Sequence, residues 1–340
     1  MAILPVFIPH AGCPHQCVFC NQKAISGQKS AALEHAARQI AIWRSRLRPS
    51  PANEAAFYGG SFTGLPASLQ EQLLQLTDKL LEEGVIGGVR LSTRPDYIDE
   101  EKLALLKRHH VSMVELGVQS LDDAVLQAAA RGHTAEDVYK AVSLLRSSGF
   151  GVGLQLMAGM PGQSFASLKE TAEKAAALKP DIARIYPLLV IEGTPLAESW
   201  RAGKFAPLSL EDAVKQAAYA CDVLEQAGVR VIRIGLQPDE ELCAPGNILA
   251  GPFHPSMGEL VRSRILRRRL TPVLQQMRGS ELTLLCSRRL ESKLRGQKNC
   301  NGDYWRRLLP GRTVKISAAG ADGRAITVRS ELGEEVNVPL

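Results

Sequence analysis

Short apolar runs rich in β-branched residues alternate with longer amphipathic stretches through the first two thirds of the chain. Residues 3–8, 54–58, 89–92, 113–118, 150–157 and 182–186 have the length and composition of strands. Between them, residues 31–47, 68–83, 99–110, 135–148 and 165–178 repeat their apolar positions with a helical period. Leu69, Leu73, Leu76 and Leu80, for instance, fall on one helix face. Asp99, followed by Glu100 and Glu101, supplies a cap and the acidic first turn that a helix start favours. Strand and helix recur about every 30 residues, which predicts βαβ units and a parallel sheet. Six strands by Pro195 fit either an open doubly wound sheet or an incomplete barrel. A helix at 210–227 and a strand at 230–234 follow.

After Gly235 the pattern breaks at Pro238, Pro245, Gly246, Gly251, Pro252 and Pro255. This predicts an irregular segment leading into a small C-terminal α/β domain. There three β-like runs (281–286, 313–317 and 325–329) flank one helical stretch at about 288–295. The expected division is residues 1–235 and 236–340. Nothing repeats internally beyond the strand–helix period.

Composition narrows the class. With 45% hydrophobic and 22% charged residues in 340, the chain is a packed globule and not a disordered one. No run approaches the roughly 18 apolar residues of a membrane span. Residues 1–9 lack the basic start of a signal peptide, so a cytoplasmic location is expected. Charge is uneven: Leu260 to Leu340 hold 17 Lys and Arg against seven Asp and Glu, a net +10, leaving −4 for the remainder. A basic C-terminal domain points to a polyanionic partner, nucleic acid above all, with a solvated basic surface as the alternative.

Seven cysteines, at 13, 17, 20, 221, 243, 286 and 300, are an odd number, and three lie within eight residues. That is a metal-site pattern and not a disulfide framework. Three thiolates at Cys13, Cys17 and Cys20 can each hold one iron of a cubane and leave the fourth iron open. A zinc site completed by His10 or His15, or a set of redox thiols, are the other readings. The remaining four cysteines are isolated. The triad directly follows the first predicted strand, and in α/β barrels chemistry gathers in the loops after strand C-termini. Tyr58-Gly-Gly-Ser-Phe-Thr63, Ser92-Thr-Arg-Pro-Asp96, Glu115-Leu-Gly-Val-Gln-Ser120 and Gln155-Leu-Met-Ala-Gly-Met-Pro-Gly162 end strands two to five.

The cysteine spacing followed by the Gly59-Gly60 motif resembles the radical S-adenosylmethionine (SAM) superfamily. Thr93–Asp96, Glu115–Ser120, Arg131-Gly-His-Thr134 and Tyr186-Pro-Leu-Leu-Val-Ile-Glu-Gly-Thr194 are similar to the radical domain of the Elongator catalytic subunit (Elp3) family, and more distantly to the oxygen-independent coproporphyrinogen oxidases. The resemblance covers residues 3 to 235. It implies a partial (βα)6 TIM-like barrel of the radical SAM type. It also implies a [4Fe-4S] cluster on Cys13, Cys17 and Cys20, and SAM at the open iron, cleaved by one electron to a 5′-deoxyadenosyl radical. An external low-potential electron donor would supply that electron. By the same resemblance Phe19 shields the cluster. Gly59, Gly60 and Ser61 meet the SAM amino group through backbone carbonyls, and Gln119 and Arg131 bind the cosubstrate, the arginine through its carboxylate. Gln155 contributes a polar contact from strand five. Ser92 stands where the relatives carry a glutamate for the ribose hydroxyls, a shorter partner.

About 105 residues follow Gly235, with no acetyl-CoA loop of the expected type, so only the radical-generating half of the Elongator activity is implied. Gly296-Gln-Lys298-Asn299 resembles the backbone-clamping loop of KH-type RNA-binding domains, with the second glycine absent. Three functions are thereby expected to compete. The first is a radical SAM enzyme on RNA, transfer RNA (tRNA) included, held through the basic C-terminal domain. The second is the same chemistry on a porphyrin-like small molecule. The third is a non-catalytic iron–sulfur or zinc RNA-binding protein.

Overall fold

The computed structural model describes the chain except residues 1, 9–12, 14–15, 22–28, 239–241, 320–322 and 324, and the side chains of 29–31. His10 and His15 therefore lie outside the described residues. The order is β1 (Ile3–Phe7), α1 (Lys29–Arg44), β2 (Glu54–Tyr58), α2 (Ala67–Glu82), β3 (Gly88–Thr93), α3 (Glu100–Arg108), β4 (Val111–Gln119), α4 (Asp123–Ala128), α5 (Ala135–Ser147), β5 (Gly151–Ala158), α6 (Phe165–Ala177) and β6 (Ile182–Pro187). There follow β7 (Val190–Ile191), α7 (Pro195–Arg201), α8 (Leu210–Gln226) and β8 (Arg230–Ile234).

Seven of these strands make one sheet in the order β1-β2-β3-β4-β5-β6-β8, each pair parallel. The order never reverses, as it must in a doubly wound sheet, so the architecture is the incomplete barrel. Its curvature is visible in one contact. Arg184 on β6 donates to the Tyr58 hydroxyl on β2 at 2.8 Å. Four strand spacings in a flat sheet would separate those strands by about 19 Å, beyond the combined reach of the two side chains. Among the described residues the sheet does not close, and β1 and β8 are its edges.

The helices form where their caps and apolar faces agree. Leu69, Leu73 and Leu80 of α2 are buried against the sheet. Asp99 accepts from the Lys102 amide at 2.9 Å, and Thr134 and Asp137 make a reciprocal capping box at the start of α5. These caps fix where each helix begins, and so the length of each loop that follows a strand.

The region after Gly235 is more ordered than the sequence pattern predicts. β9 (Ile248–Ala250) pairs antiparallel with β7. A 20-residue helix, α9 (Met257–Gln276), then joins two cores: Met257, Val261 and Ile265 pack in the barrel core, and Leu266, Leu270 and Leu274 in a second one. The second core lies between helices and a sheet of β10 (Glu281–Leu285), α10 (Glu291–Arg295), α11 (Cys300–Leu308), β11 (Thr313–Ser317), β12 (Ala325–Ser330) and β13 (Glu335–Pro339). The strand order is β11-β10-β12-β13, with β10 and β11 parallel and the other pairs antiparallel. Fully buried Trp305 anchors it, its indole N–H donating to Thr271 Oγ1 at 3.0 Å. The arginine cluster 267–269 is only partly a surface feature. Arg268 and Arg269 pair with Asp222 of α8, which is 1% exposed, and Arg262 pairs with Glu225. These ion pairs fasten α9 to the barrel.

Candidate functional site: the cysteine loop and the strand ends

The cysteine loop is anchored by backbone bonds on both sides. The Val18 amide donates to the Ala129 carbonyl at 3.2 Å, and the Leu196 amide donates to the Val18 carbonyl at 2.8 Å. Val18 and Phe19 insert into an apolar collar that includes Val125, Met160, Leu188 and Leu196. Phe19 thus packs beside the cysteines, as a shielding residue would. Cys17 is buried, and Cys13 and Cys20 are half-buried. Burial, with Cys17 and Cys13 adding, pushes the free Cys20 thiol up to about 11. Among the described residues no three His, Cys, Asp or Glu side chains converge on one metal ion. A cubane needs only one thiolate per iron, so it fits thiols that share a loop without sharing a ligand point.

Strand ends aim the polar residues at this loop. Gly59 and Gly60 both have φ of 86°, and a Cβ at Gly59 would lie 2.6 Å from the Ile8 carbonyl oxygen. Only glycine lets β2 turn this tightly against β1. β4 ends in an irregularity before Gln119, whose φ of 64° is left-handed for a non-glycine residue. The bend leaves Gln119 buried with Oε1 unpartnered. Arg131, 6% exposed in the loop after α4, donates from Nη1 to Cys17 Sγ at 3.2 Å and from Nη2 to the Gly117 carbonyl at 2.6 Å, with Nε unpartnered. A Cβ at Gly117 would sit 3.1 Å from Gln119 Nε2 and 3.4 Å from Arg131 Nη2. That glycine makes room for both groups.

The other expected residues are held by bonds of their own. The Ser61 hydroxyl is committed to Thr93 Oγ1 at 2.8 Å, so it braces the glycine turn against β3. The contact expected of Ser61 is through its backbone carbonyl, which this side-chain bond does not involve. Ser92 and Gln155 form a second group facing the barrel interior. Gln155 Nε2 donates to Ser92 Oγ at 3.2 Å and to Glu115 Oε2 at 3.3 Å. Glu115, 1% exposed, accepts from Arg184 Nε at 2.6 Å and from Arg184 Nη2 at 3.0 Å, with Arg90 Nη1 at 3.6 Å. Burial holds the neighbouring Tyr58 hydroxyl up near 12, so it stays protonated.

Three participants were inside quoted motifs but not singled out by sequence reasoning. Arg94 is 3% exposed and grips Asp96 bidentately at 2.9 Å for both bonds, with Nη1 unpartnered. Its charge bears on Cys13 and Cys17. His133 is 4% exposed and both its ring nitrogens are unpartnered. Their signal was density: two charged residues around Pro95, and His133 two residues beyond Arg131.

A model of the radical SAM superfamily matches residues 7–175, and a radical SAM C-terminal domain model matches residues 180–267. The chain belongs to the radical SAM superfamily. A solved structure of archaeal Methanocaldococcus infernus Elp3 carrying an N-terminal deletion is 28% identical with a TM-score of 0.63, over 78% of this chain and 63% of that one. A protein of the same organism named tRNA uridine(34) acetyltransferase is 30% identical over 77% of this chain and 55% of its own length. The chain thus spans about half the length of the full relatives it matches. Escherichia coli coproporphyrinogen III oxidase shares the fold, at 17% identity and a TM-score of 0.51 over 97% of this chain and 67% of that one. Among the described residues no helix is long and apolar enough to cross a membrane.

Radical SAM enzymes use a [4Fe-4S] cluster and SAM, and the residues here fit both. Cys13, Cys17 and Cys20 would hold the cluster. The unpartnered Gln119 Oε1 and Arg131 Nε would meet the cosubstrate. Once bound, the pair supplies one-electron reductive cleavage of a sulfonium bond. In that arrangement Arg131 would hold the cosubstrate and the collar around Phe19 would exclude water.

Two expectations follow. Arg131→Ala should weaken SAM binding about ten- to a hundredfold, the size of one lost charge-assisted bond of roughly 1.5–3 kcal/mol. Isothermal titration on reconstituted protein measures it, and an unchanged dissociation constant would leave Arg131 a brace between Cys17 and Gly117. The second concerns pH. Burial, with Arg131 and Arg94 adding, pulls His133 down from 6.5 to about 3. The unfolded chain then binds the extra proton between those values, so stability falls as pH drops from 6.5 towards 3 and is unaffected above 6.5. Lowering pH from 6.5 to 5 should cost about 1–2 kcal/mol through this group. Urea unfolding of wild type and His133→Gln across that range tests it: the variant's curve should be flatter, and parallel curves would remove His133 as the cause.

Proposed function

We propose that this radical SAM enzyme acts on RNA, transfer RNA being the favoured substrate, in the cytoplasm and with an external low-potential electron donor. The observation that carries the chemistry is the meeting of Arg131 Nη1 with Cys17 Sγ, while Nη2 holds the Gly117 carbonyl near the bent end of β4. A cation against the cysteine loop supports the reading that a cosubstrate carboxylate binds there. Support for RNA comes from the likeness to proteins named tRNA uridine(34) acetyltransferase and from the basic C-terminal domain. The chain spans only part of those relatives, so their acetyl transfer is not carried over. Cys13, Cys17 and Cys20 hold the cluster in this reading, and Phe19, Gly59, Gly60, Gln119 and Arg131 form the cosubstrate side. Ser92 and Gln155 line the interior next to it.

Mass spectrometry of nucleosides from total tRNA tests the reading in a strain lacking this protein. One modified nucleoside should disappear and return with the wild-type gene but not with a Cys17→Ala gene. An unchanged nucleoside profile, together with SAM cleavage by the purified protein, would move the substrate to a small molecule. Failure to cleave SAM after reconstitution would leave a cluster-containing binding protein.

A further inference from the structure

Most cations of the C-terminal domain are engaged within the protein. Arg268 and Arg269 serve Asp222, Lys293 serves Glu259, Arg295 serves Glu291 and Lys315 serves Glu281. Arg288, Arg289 and Lys298 are different: all three are exposed, and none has an ion pair among the described residues. They belong to one unit. The two arginines lead into α10, and Lys298 stands at the tip of the turn between α10 and α11.

That turn is built rigidly. Gly296, Lys298 and Asn299 have φ of 69°, 52° and 61°, two of them left-handed without being glycine. Asn301, 1% exposed, holds the turn to α9 and to the end of α10 by donating to Ser263 Oγ at 3.0 Å and to the Leu294 carbonyl at 2.9 Å. A Cβ at residue 296 would lie 2.7 Å from Ser263 Oγ and 2.6 Å from Cys300 Sγ, so the backbone is pressed onto α9. The flanking strands, β10 and β11, are parallel neighbours, and both helices lie between them in sequence. A cation presented on so fixed a turn loses little further freedom when it meets a ligand.

Its position relative to the barrel decides what the ligand is. Gln297 Nε2 lies 3.3 Å from His254 Nε2. His254 in turn lines a small hollow with Pro187 and Gly235, which mark the C-terminal ends of β6 and β8. The turn therefore stands on the same face of the sheet as the cysteine loop, beside β8, where the barrel is open.

We infer that the turn 296–299, with Arg288 and Arg289, clamps the sugar–phosphate backbone of an RNA strand at the open side of the barrel and delivers that strand to the cysteine face. The inference rests on the RNA reading above and names the surface that receives the substrate. Three exposed cations without ion pairs among the described residues, one of them on a fixed turn, suit the phosphates of a strand. Phosphate contacts position a strand without reading its bases, so the surface holds many sequences and leaves selection to the barrel interior.

The test is a filter-binding titration of the full chain with total tRNA at several salt concentrations. Lys298→Glu and the double Arg288→Glu/Arg289→Glu variant should each bind about ten- to a hundredfold more weakly. Their salt dependence should be shallower, by about one unit of slope per cation removed. Arg329→Glu, a reversal on β12 of a cation already paired with Glu335, serves as the control and should change affinity far less. SAM cleavage without RNA should be unaltered in every variant, which shows that the barrel is folded. If wild type binds and the turn variants bind equally well, the clamp is wrong and the RNA reading stands. If wild type itself binds no tighter than about 100 µM at low salt, the clamp and the RNA reading fall together. Preference for anionic lipid vesicles over tRNA would also overturn the clamp.

Discussion

Cys17→Ala protein should cleave no SAM under dithionite, while Cys221→Ala and Cys286→Ala proteins should cleave it at the wild-type rate. Each protein-held iron of the cubane takes one thiolate, and the loop offers three. Removing one leaves that iron without its thiolate. The neighbouring side chain, Arg131, carries only N–H donors and cannot ligate. Cys221 is buried on α8 in the barrel core and Cys286 in the second core, both remote in role from the loop. Their thiols are pushed up by burial and behave as small apolar groups. Anaerobic reconstitution should load about four irons on wild type and clearly fewer on the Cys17→Ala protein. The readout is 5′-deoxyadenosine released per chain, and Cys13→Ala and Cys20→Ala should behave alike. Full release by the Cys17→Ala protein would sink the assignment of this triad.

The barrel was legible because its signals are local and repeated. Each strand is a short apolar run, the helix starts from α3 to α8 carry side-chain caps, and the loops that matter follow strand ends. The cysteine loop needed only spacing. The C-terminal region was harder for an identifiable reason. α9 does repeat its apolar residues every fourth position, at 257, 261, 265 and again at 266, 270 and 274. The seam between the two sets shifts by one residue where the helix leaves one core and enters the other. Arginines crowd that seam and Pro272 lies inside the last turns, so the segment reads as basic and broken. α11 was hidden similarly: only Trp305 and Asn301 are buried on it, too few to set a period. The roles of Arg268 and Arg269 could not be read at all, because their partner Asp222 lies 46 and 47 residues away.

The same limit applies inside the barrel. Glu115, Arg184, Arg90 and Tyr58 come from four strands, and only curvature brings them together. Ser92 and Gln155 then join this network through hydrogen bonds and do not face the cysteine loop alone. Ser92 does stand near the end of β3, but Gln155 lies in the middle of β5, paired with Arg184 across the sheet, and sequence could not tell that Glu115 accepts from it.

That buried carboxylate carries the largest stability effect expected in the protein. Glu115→Ala should destabilise the fold by about 3–5 kcal/mol, the cost of leaving a buried cation without its anion. Arg184 has a side chain only 12% exposed and Arg90 one only 4% exposed, so neither regains much water when Glu115 is lost. Arg90 keeps Glu54, with which it also pairs, so most of the penalty falls on Arg184. Burial disfavours the Arg184 charge, yet its hydrogen bonds and attraction to Glu115 hold its pKa above the ordinary arginine value. Removing Glu115 takes away that compensation and leaves the burial. Glu115→Gln should cost less, because the amide oxygen still accepts from Nε. Adding Arg184→Met to Glu115→Ala should recover part of the loss by removing the orphaned charge, whereas independent sites would simply add. Denaturant unfolding of the two single variants and the double variant closes this cycle. A Glu115→Ala midpoint equal to wild type, or a double variant as unstable as the sum of its parts, would mean that Glu115 and Arg184 do not depend on each other.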